Sequence, residues 1–283
     1  MDWKNKRVMI TGSMGFIGSN LFAALRSKWA KCFNYDIDFT GRDVCDYAQL
    51  RNFIERHDIE FVYHLAAEAH VPIANKYPRT CLETNIMGTV NVLDICASHN
   101  IPLILASSDH AYGDADKAFD AGSPLNAKHP YDLSKACADK IAQMYQRRAA
   151  NAKIMRLCNV YGPGDTHHTR LIPHVVSSYV NGKQPVLRGD PSMVREWIYI
   201  DDAVQAYIDA ADNDNPVNLV GGYCLSVGQV VEYIREKLGG AAPIVLNTAF
   251  DEIVNLVFAP CADNLTSWEE GIARTIEWWK EMG

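Results

Sequence analysis

The sequence predicts an α/β fold in which a doubly wound parallel sheet is followed by a smaller mixed α/β lobe at the C-terminal end. Three observations support this prediction. A short apolar run, residues 7–11, leads into a turn with three glycines and then into a helical pattern. Strand-like and helix-like runs alternate as far as residue 157, which is typical of parallel strands joined by helices. From Leu171 the alternation loosens and prolines become frequent, which indicates a less regular region.

The first element in chain order resembles a nucleotide-binding turn. Gly12, Gly15 and Gly18 follow the run at 7–11 and precede a helical run that starts near Ser19. Glycine lets a pyrophosphate approach the backbone, and a helix N-terminus offers free amides and a favourable dipole. The spacing G-x-x-G-x-x-G is one residue wider than the common dinucleotide fingerprint. It predicts a Rossmann-type dinucleotide site, with an ordinary glycine-rich β–α turn as the alternative.

The second strand-like run, residues 32–36, ends in Asp36. This acid lies 24 residues after Gly12, close to the offset of about 20 residues at which a carboxylate binds the adenosine ribose. A carboxylate there accepts hydrogen bonds from both ribose hydroxyls and repels a 2′-phosphate. NAD is therefore favoured over NADP as the cofactor. The alternative is an aspartate that caps a turn at the end of a strand.

Further strand-like runs and two helical stripes complete the alternation. The strand-like runs are residues 61–65, 102–106, 153–157 and 217–220, and the apolar stripes cover residues 82–97 and 133–145. Ligands of open parallel sheets bind at the carboxyl ends of the strands. Ala66 and Ala67, Ser108 and Asn159 come directly after strand-like runs, as Gly12 does. We therefore expect one cleft to collect them.

Tyr131 and Lys135 are the first candidates for chemistry. They lie four residues apart on a predicted helix, so both side chains leave the same face one turn apart. Pro130 just before them suits a helix start, where a missing amide proton costs nothing. An ammonium beside a phenol stabilises the phenolate, and such a pair can take a proton from a sugar hydroxyl. Alone the pair is a weak signal, because both residues are common on solvated helix faces.

Ser108, Asp109 and His110 form the second chemical stretch. They follow the strand-like run at 102–106 and lie at its end. A serine there can hydrogen-bond a substrate hydroxyl, and the next two residues are a candidate acid and base. The alternative is a polar strand-to-loop turn without a catalytic role.

Composition excludes several classes of function. Lys+Arg 27 against Asp+Glu 34 gives a formal net charge of −7, and no basic run occurs, so we expect no nucleic-acid partner. No apolar stretch approaches the length that spans a bilayer, and residues 1–7 contain no signal-peptide apolar region. We therefore expect no membrane partner and a cytoplasmic location. The eight cysteines form no C-x-x-C pair, and His167 and His168 lack a further ligand at metal spacing, so no metal site is predicted.

Taken together, these patterns resemble the extended short-chain dehydrogenase/reductase family, which includes NAD-dependent nucleotide-sugar epimerases and dehydratases. The likeness covers nearly the whole chain, with matching segments in the family's order. These segments are residues 11–18, 36, 64–67, 85–89, 107–113, 131–135, 156–164, 194–199 and 269–279. The resemblance implies a Rossmann domain for NAD over residues 1–170 and 201–222. Residues 171–200 and 223–283 would form a lobe for a nucleotide-diphosphate sugar.

The resemblance also implies roles for individual residues. Ser108, Tyr131 and Lys135 would be the catalytic triad. Asn159 and Arg195 would contact the substrate diphosphate, where a guanidinium suits the phosphate geometry. The residues implied to bind NAD are Gly12, Gly15, Phe16, Ile17, Gly18, Asp36, Asp43, Val44, Leu65, Ala66, Ala67, Tyr131 and Lys135. Family members commonly form dimers through the helices that correspond to residues 79–99 and 131–150, so a homodimer is expected.

Within the family, Ser108, Asp109 and His110 are similar to the triplet of nucleotide-sugar 4,6-dehydratases, and residues 129–139 and 159–173 look most like CDP-glucose 4,6-dehydratases. The likeness implies that Tyr131 takes the proton of the carbon-4 hydroxyl while NAD oxidises that carbon. His110 would then take the carbon-5 proton, and Asp109 would protonate the departing carbon-6 hydroxyl. His110 stands where relatives carry Glu or Lys. The alternatives are a 4-epimerase and a non-catalytic protein that binds NAD or a nucleotide sugar.

Two departures from the family pattern concern the ligand pockets. The link from Asp36 to Asp43 is short, which implies a trimmed adenine pocket. Residues 241–265 are compact and lack an arginine that many relatives use on the nucleotide, which implies an altered nucleotide site.

Overall fold

The computed structural model describes residues 1–114, 118–147, 151–246, 255–258 and 264–282, with the backbone alone for residues 255 and 256. Its first elements, in chain order, are β1 (Arg7–Thr11), α1 (Phe16–Ser27), β2 (Lys31–Tyr35), α2 (Ile37–Thr40), α3 (Tyr47–Arg56), β3 (Phe61–His64), α4 (Val71–Lys76), α5 (Pro78–Leu82), a π-helical turn (Glu83–Met87), α6 (Gly88–Ser98), β4 (Leu103–Ser108), a 3₁₀ turn (Asp109–Tyr112), α7 (Pro130–Arg147) and β5 (Ala152–Leu157). The strand-like runs predicted in this part agree with these strands to within two residues at either end.

The remaining elements belong to the less regular part of the chain and to the last strand of the first sheet. They are β6 (Asn159–Tyr161), α8 (Leu171–Val180), β7 (Val186–Arg188), β8 (Val194–Tyr199), α9 (Ile200–Ala210), β9 (Val217–Val220), β10 (Tyr223–Ser226), α10 (Val227–Leu238), β11 (Ile244–Leu246), β12 (Asn255–Leu256) and α11 (Trp268–Met282). Much of the region 241–265, for which the sequence predicted an altered nucleotide site, lies outside the described residues.

The first sheet has six strands in the order β2-β1-β3-β4-β5-β9. The pairs from β2 to β5 are parallel, and Thr11 at the end of β1 lies opposite Tyr35 on one side and His64 on the other. The order extends in both directions from β1, so the predicted doubly wound sheet is confirmed. The reversal of strand order places the ligand crevice of such sheets outside the ends of β1 and β3. The glycine turn follows the first of these strands, and Leu65 follows the second.

Apolar side chains from the strands and from helices α3, α6 and α7 form the core beside this sheet. The buried members of the cluster include Met9, Tyr35, Val62, Leu103 and Ile154 from the strands and Leu50, Phe53, Ile54, Val92, Leu93, Ile95 and Cys96 from α3 and α6. Burial of both strand and helix positions removes a large apolar area from water, which is the main favourable term in folding. This core holds the strand ends that carry the candidate site residues.

The helical region predicted at 79–99 is not one regular helix. It consists of α5, the π-helical turn Glu83–Met87 and α6. A π-turn adds one residue to a helix, and such turns are frequent at functional sites because they redirect a side chain. Here the turn contains Asn85, which is buried.

The second sheet is smaller and mixed. Its central strand β8 pairs with β10 in antiparallel fashion and with β6 and β12 in parallel fashion. A separate parallel pair joins β7 and β11. The prediction of a mixed α/β lobe in the C-terminal part of the chain is confirmed.

Contacts divide the chain into two units. The first consists of Met1–Gly113, Ala121–Leu157 and Val204–Leu219, and the second of Asp114–Asp120, Cys158–Ala203 and Val220–Gly283. Residues 158–170, which the sequence placed with the first domain, lie in the second unit because β6 pairs with β8. The assignment of NAD and substrate to separate domains stays a prediction. Within the described residues, none of the helices has the length and apolar character to cross a bilayer.

Candidate active site

The glycine turn after β1 is shaped by its own backbone contacts. Gly12 has a φ of +67°, and a Cβ there would lie 2.8 Å from the backbone nitrogen of Ala66. A Cβ on Gly18 would lie 2.1 Å from the carbonyl oxygen of Gly12. Packing of the chain therefore excludes any larger residue at these two positions. A Cβ on Gly15 would meet only the Gly12 carbonyl, at 3.3 Å, so the chain's own packing constrains this third glycine least.

The helix α1 begins directly after Gly15, at Phe16, three residues earlier than the predicted start. Phe16 and Gly18 are buried and Ile17 is partly exposed. The first amides of a helix have no partner within it. Here they follow directly on the turn at residues 12–15, and Gly18 lies inside the first turn of α1 rather than in the loop. The turn and the helix together present the arrangement that binds phosphate groups in dinucleotide-binding proteins.

Asp36 lies directly after β2 and is buried. Its Oδ2 accepts a hydrogen bond from the Met14 amide at 2.9 Å, and its Oδ1 accepts one from the Asp38 amide at 3.1 Å. The second bond caps α2, so the capping role considered from the sequence is present. The first bond also places the carboxylate beside the glycine turn, where the ribose role predicted from the sequence requires it. That role stays a prediction.

Asp43 and Val44 lie in the link between α2 and α3. The Asp43 side chain accepts from the Cys45 amide at 2.8 Å, and the Asp43 carbonyl accepts from the Tyr35 hydroxyl at 3.1 Å. Val44 is buried, and its carbonyl accepts from the Asn91 side chain at 3.0 Å. These bonds hold the link in place. The predicted contact of Asp43 and Val44 with NAD stays a prediction.

A buried histidine fixes the backbone at the end of β3. Nδ1 of His64 lies 2.7 Å from Oγ1 of Thr11, and Nε2 lies 3.1 Å from Oγ1 of Thr89. Because the Thr89 hydroxyl donates to the Asn85 carbonyl, it can only accept from His64, so the proton of the neutral ring is on Nε2. The Thr11 hydroxyl then donates to Nδ1 and accepts from the Ala66 amide at 3.1 Å.

Burial of His64, helped by the charge of Lys135, lowers the pKa of the imidazole to about 3. His64 is therefore neutral at physiological pH and cannot act as an acid or base there. Its hydrogen bonds position the segment that holds Leu65, Ala66 and Ala67, which are partly exposed. The sequence matched His64 to the family without giving it a role, because its partners lie far away along the chain.

At the end of β4 the three polar residues predicted as catalytic lie together. The Ser108 hydroxyl donates to Oδ1 of Asp109 at 2.9 Å. The His110 amide lies 2.9 Å from that carboxylate oxygen and 3.2 Å from the Ser108 hydroxyl oxygen, and it points toward both. Ser108 and Asp109 are buried and His110 is partly exposed. These contacts form the first turn of the 3₁₀ segment and hold the three side chains at one strand end.

The helix α7 brings the predicted Tyr131 and Lys135 to the same region. Lys135 is buried, and its Nζ donates to the Ala106 carbonyl of β4 at 3.0 Å. Burial lowers the pKa of this amine to about 8. The Tyr131 ring lies 5.8 Å from the His110 ring, centroid to centroid, at 70°. The structure therefore brings Ser108, Asp109, His110, Tyr131 and Lys135 together at the junction of β4 and α7.

Two contacts with α7 were not predicted from the sequence. Nδ1 of His110 lies 2.9 Å from Oδ1 of Asp132, which is buried. The Asn85 side chain donates to the Ser134 hydroxyl oxygen at 2.8 Å, and the Ser134 hydroxyl donates to the Tyr131 carbonyl at 2.6 Å. Asp132 and Ser134 lie within the Tyr131–Lys135 segment that the sequence singled out. Nothing in the sequence indicated that His110 and Asn85 would be their partners.

A buried ion pair also joins α7 to the sheet. Nε and Nη2 of Arg156 donate to the two carboxylate oxygens of Asp139, each at 2.8 Å. The Ser107 hydroxyl donates to Asp139 as well, at 2.8 Å. Nη1 of Arg156 donates to the Tyr112 hydroxyl at 2.6 Å. Through Asp139 this network holds α7 against β4 and β5, next to the candidate catalytic residues.

Asn159 and Arg195, predicted to contact the substrate diphosphate, lie in the second unit. The Asn159 side chain donates to the Glu196 carbonyl at 3.2 Å, and Arg195 Nη1 donates to the Val194 carbonyl at 2.9 Å. In the pairing of β6 with β8, Asn159 lies opposite Trp197, which is two residues from Arg195 along β8. Asn159 and Arg195 are therefore close to each other within this unit. Their role in substrate binding stays a prediction.

Comparison with known proteins shows similarity along the whole chain. The sequence profile of the NAD dependent epimerase/dehydratase family matches residues 8–220. A dTDP-glucose 4,6-dehydratase from Mycobacterium tuberculosis (strain ATCC 25618 / H37Rv) is 27% identical over an alignment of 318 positions, gaps included, which spans 97% of this chain and 93% of that protein. A UDP-N-acetyl-alpha-D-glucosaminuronate decarboxylase from Bacillus cytotoxicus is 26% identical and covers 98% of both chains.

Among solved structures, the NAD-dependent NDP-hexosamine 5,6-dehydratase TunA, involved in tunicamycin biosynthesis, superposes with a TM-score of 0.87. It is 27% identical, and the match covers 97% of each chain. The agreement extends over both units of the present structure.

Proposed function

This chain belongs to the NAD dependent epimerase/dehydratase family, and on that premise we propose that it is a nucleotide-sugar 4,6-dehydratase. Its homologues are NAD-dependent enzymes that act on nucleotide-linked sugars as dehydratases, epimerases or decarboxylases. The proposed reaction oxidises carbon 4 of the sugar, eliminates water across carbons 5 and 6, and reduces carbon 6. The substrate is a nucleotide-diphosphate sugar, as for the relatives described above.

NAD is the cofactor of the family, and the residues around the glycine turn fit it. The chain's own packing constrains Gly15 less than Gly12 and Gly18, and close approach of a pyrophosphate would account for a glycine there. Oγ of Ser13 is buried and has no hydrogen-bond partner within the described residues, so it is available to a phosphate oxygen. Asp36 would hold the ribose, and Ala66 and Lys135 would line the nicotinamide end. When bound, NAD supplies a reversible two-electron acceptor for the substrate carbon.

Tyr131, Ser108 and Lys135 supply the proton transfer of the first stage. The Tyr131 phenolate removes the proton of the carbon-4 hydroxyl as that carbon is oxidised, and Ser108 hydrogen-bonds the same oxygen. Lys135 stabilises the phenolate through its charge. Since the pKa of its amine is about 8, most of the amine is protonated at neutral pH and the charge is present when it is needed.

Asp109 and His110 supply the second stage. A ketone at carbon 4 acidifies the proton on carbon 5, which His110 removes while Asp109 protonates the departing carbon-6 hydroxyl. Epimerisation at carbon 4 uses neither group. The single observation that supports a dehydratase over an epimerase is therefore the presence of this acid and base at the strand end, with the His110 ring 5.8 Å from that of Tyr131.

A second candidate is a nucleotide-sugar 5,6-dehydratase, favoured by the 27% identity to TunA over nearly the whole chain. The two reactions share oxidation at carbon 4 and elimination of water. They differ in the carbon that is reduced at the end. Reduction of carbon 6 gives a 4-keto-6-deoxy sugar, whereas reduction of carbon 4 leaves a double bond between carbons 5 and 6.

One experiment separates these reactions. The protein with added NAD is incubated in heavy water with a panel of nucleotide-linked glucose and N-acetylglucosamine, and products are analysed by mass spectrometry and NMR. A 4,6-dehydratase gives a product lighter by one water that carries one deuterium at carbon 5. A 5,6-dehydratase gives the same loss without deuterium on carbon. A product of unchanged mass, inverted at carbon 4, would contradict the proposal and indicate an epimerase.

We also propose a homodimer formed through the region 79–99 and helix α7. Both carry apolar side chains that the chain itself covers only in part, among them Met87 and Leu133, which are 51% and 41% exposed. Pairing these faces in a second copy would remove them from water. Sedimentation analysis tests this. A monomer at all concentrations up to those used for activity would contradict it.

A further inference from the structure

His110 and Asp132 form a side-chain pair that the reaction steps above do not use. Nδ1 of His110 lies 2.9 Å from Oδ1 of Asp132. The Asp132 side chain is 5% exposed in the first turn of α7, and the His110 side chain is 27% exposed at the end of β4. The pair therefore connects the two elements that carry the candidate catalytic residues, and only its histidine is open to a substrate.

The geometry determines which nitrogen of His110 carries the proton. An ionised carboxylate only accepts hydrogen bonds, so Nδ1 must donate to Asp132, and in the neutral ring Nε2 keeps its lone pair. The neighbouring titratable groups, Asp109 and Tyr131, contact His110 in other ways than Asp132 does. Oδ1 of Asp109 accepts from the His110 amide at 2.9 Å, and the Tyr131 ring stands at 70° to the His110 ring.

The position of Asp132 in the first turn of a helix does not by itself account for the burial of its carboxylate. An acid in the first turn of a helix is favoured by the helix dipole, but an exposed side chain would satisfy that preference. A buried carboxylate needs hydrogen bonds or an opposite charge, because burial of an unpaired charge is costly. The imidazole of His110 supplies a hydrogen bond at all pH values and a positive charge when it is protonated.

We propose that Asp132 is the positioning residue for the elimination step, holding His110 in the Nδ1–H form and directing Nε2 as the base at carbon 5. This inference rests on the proposed dehydratase function. In the step, the C5–H bond breaks, its electron pair moves into the enolate of the carbon-4 ketone, and an Nε2–H bond forms. The enolate then forms the C5–C6 double bond as the C6–O bond breaks, and the hydroxyl takes a proton from Asp109 and leaves as water. The imidazolium charge is balanced by Asp132. After this proton exchanges with solvent, the same nitrogen returns a solvent-derived proton to carbon 5.

The first test does not depend on turnover. Two-bond ¹H–¹⁵N spectra of the protein labelled with ¹⁵N-histidine report which ring nitrogen is protonated, and His110→Gln identifies the His110 signals. We expect a protonated Nδ1 in the wild type and in Asp132→Asn, whose side-chain oxygen still accepts. In Asp132→Ala we expect a shift to the Nε2–H form that predominates in water. The same form in wild type and Asp132→Ala would overturn the inference.

The second test measures rates. Asp132→Asn should slow product formation at least about tenfold and shift the acidic limb of its pH profile to lower pH, because an imidazole that lacks a nearby negative charge binds its proton less tightly. The appearance of reduced nicotinamide in a single turnover should be unchanged. In a His110→Gln background, Asp132→Asn should have no further effect on product formation. Asp214→Asn, an exposed change in the loop after α9, is the matched control and should behave as wild type.

The outcomes separate the two proposals. If none of the sugars loses water, the dehydratase function fails, and the histidine spectra still decide the positioning of His110. If water is lost but Asp132→Asn keeps the wild-type rate and pH profile, the function stands and the role of Asp132 is overturned. A loss of rate with an unchanged pH profile and unchanged tautomer in Asp132→Ala would indicate a structural role and would also overturn it.

Discussion

The amide of Met14 donates a hydrogen bond to Oδ2 of Asp36 at 2.9 Å and so fastens the carboxylate at the end of β2 to the glycine turn after β1. This bond keeps a buried negative charge beside the place where a dinucleotide binds in a doubly wound sheet. A 2′-phosphate brought to that position would be repelled. Two ribose hydroxyls would instead find an acceptor.

NAD should therefore bind at least about tenfold more tightly than NADP, which corresponds to about 1.4 kcal/mol. Asp36→Asn keeps the size of the side chain and an acceptor oxygen but removes the charge, so it should narrow the difference mainly by improving NADP binding. Isothermal titration calorimetry measures both affinities. Equal affinities of the wild type for NAD and NADP would show that Asp36 does not discriminate between the two cofactors.

Tyr131→Phe should keep the fold and NAD binding, because it removes a single hydroxyl group from a partly exposed ring. Turnover should fall by about two to four orders of magnitude, the usual effect of losing a positioned acid–base group. Tyr145→Phe provides a control on the same helix. Its hydroxyl donates to the exposed Asp94 at 3.3 Å, so its loss should leave turnover unchanged. Wild-type turnover in Tyr131→Phe would refute the proposed proton relay.

Burial of the charged Lys135 amine is expected to lower the free energy of unfolding, although turnover requires this residue. Its folded-state pKa of about 8 lies below the ordinary value of 10.5, so between these pH values the unfolded chain holds one more proton than the folded chain. The cost of burying the charge is full below pH 8 and disappears as the pH rises toward 10.5. Lys135→Met should therefore raise the free energy of unfolding at pH 7 by about 1–3 kcal/mol while abolishing turnover.

Urea unfolding without added NAD, repeated from pH 7 to pH 10.5, measures this effect. The advantage of Lys135→Met over the wild type should shrink across the upper part of the range. Lys140→Met, on the exposed side of α7, is the control and should show no such trend. A Lys135→Met protein less stable than the wild type at pH 7 would contradict the expected cost of burial.

The sequence was informative about features that depend on neighbouring residues. The glycine turn, the alternation of strands and helices, and the placing of Tyr131 and Lys135 on one helix face follow from local spacing, and the structure has all three. The second half of the chain was harder to predict, because β8 pairs with strands that precede it and strands that follow it in the chain. No local periodicity in the sequence indicates such pairs.

The contacts that support the candidate site could not be predicted from spacing. His110 and Asp132 are 22 residues apart, and Asn85 and Ser134 are 49 apart. Each of these side chains also has an ordinary role on a helix or at a strand end. Only the packing of α7 against the end of β4 and the π-turn makes them partners. The neutral state of His64 likewise follows from burial, which its sequence position did not reveal.

The buried pair of Asp139 and Arg156 leads to the last prediction. Both side chains are almost completely buried, and the two hydrogen bonds between them are 2.8 Å long. Asp139→Asn leaves the guanidinium buried without its counter-charge, and removing one partner of a buried pair typically costs about 3–5 kcal/mol. We expect a loss of that size in urea unfolding, whereas Asp214→Asn at an exposed loop position should change stability by less than about 0.5 kcal/mol. Replacing both partners, as Asp139→Leu with Arg156→Met, removes both charges and should recover much of the loss, because no unpaired charge remains. If the double variant were no more stable than Asp139→Asn, the loss would reflect packing and the Ser107 contact rather than an unpaired charge.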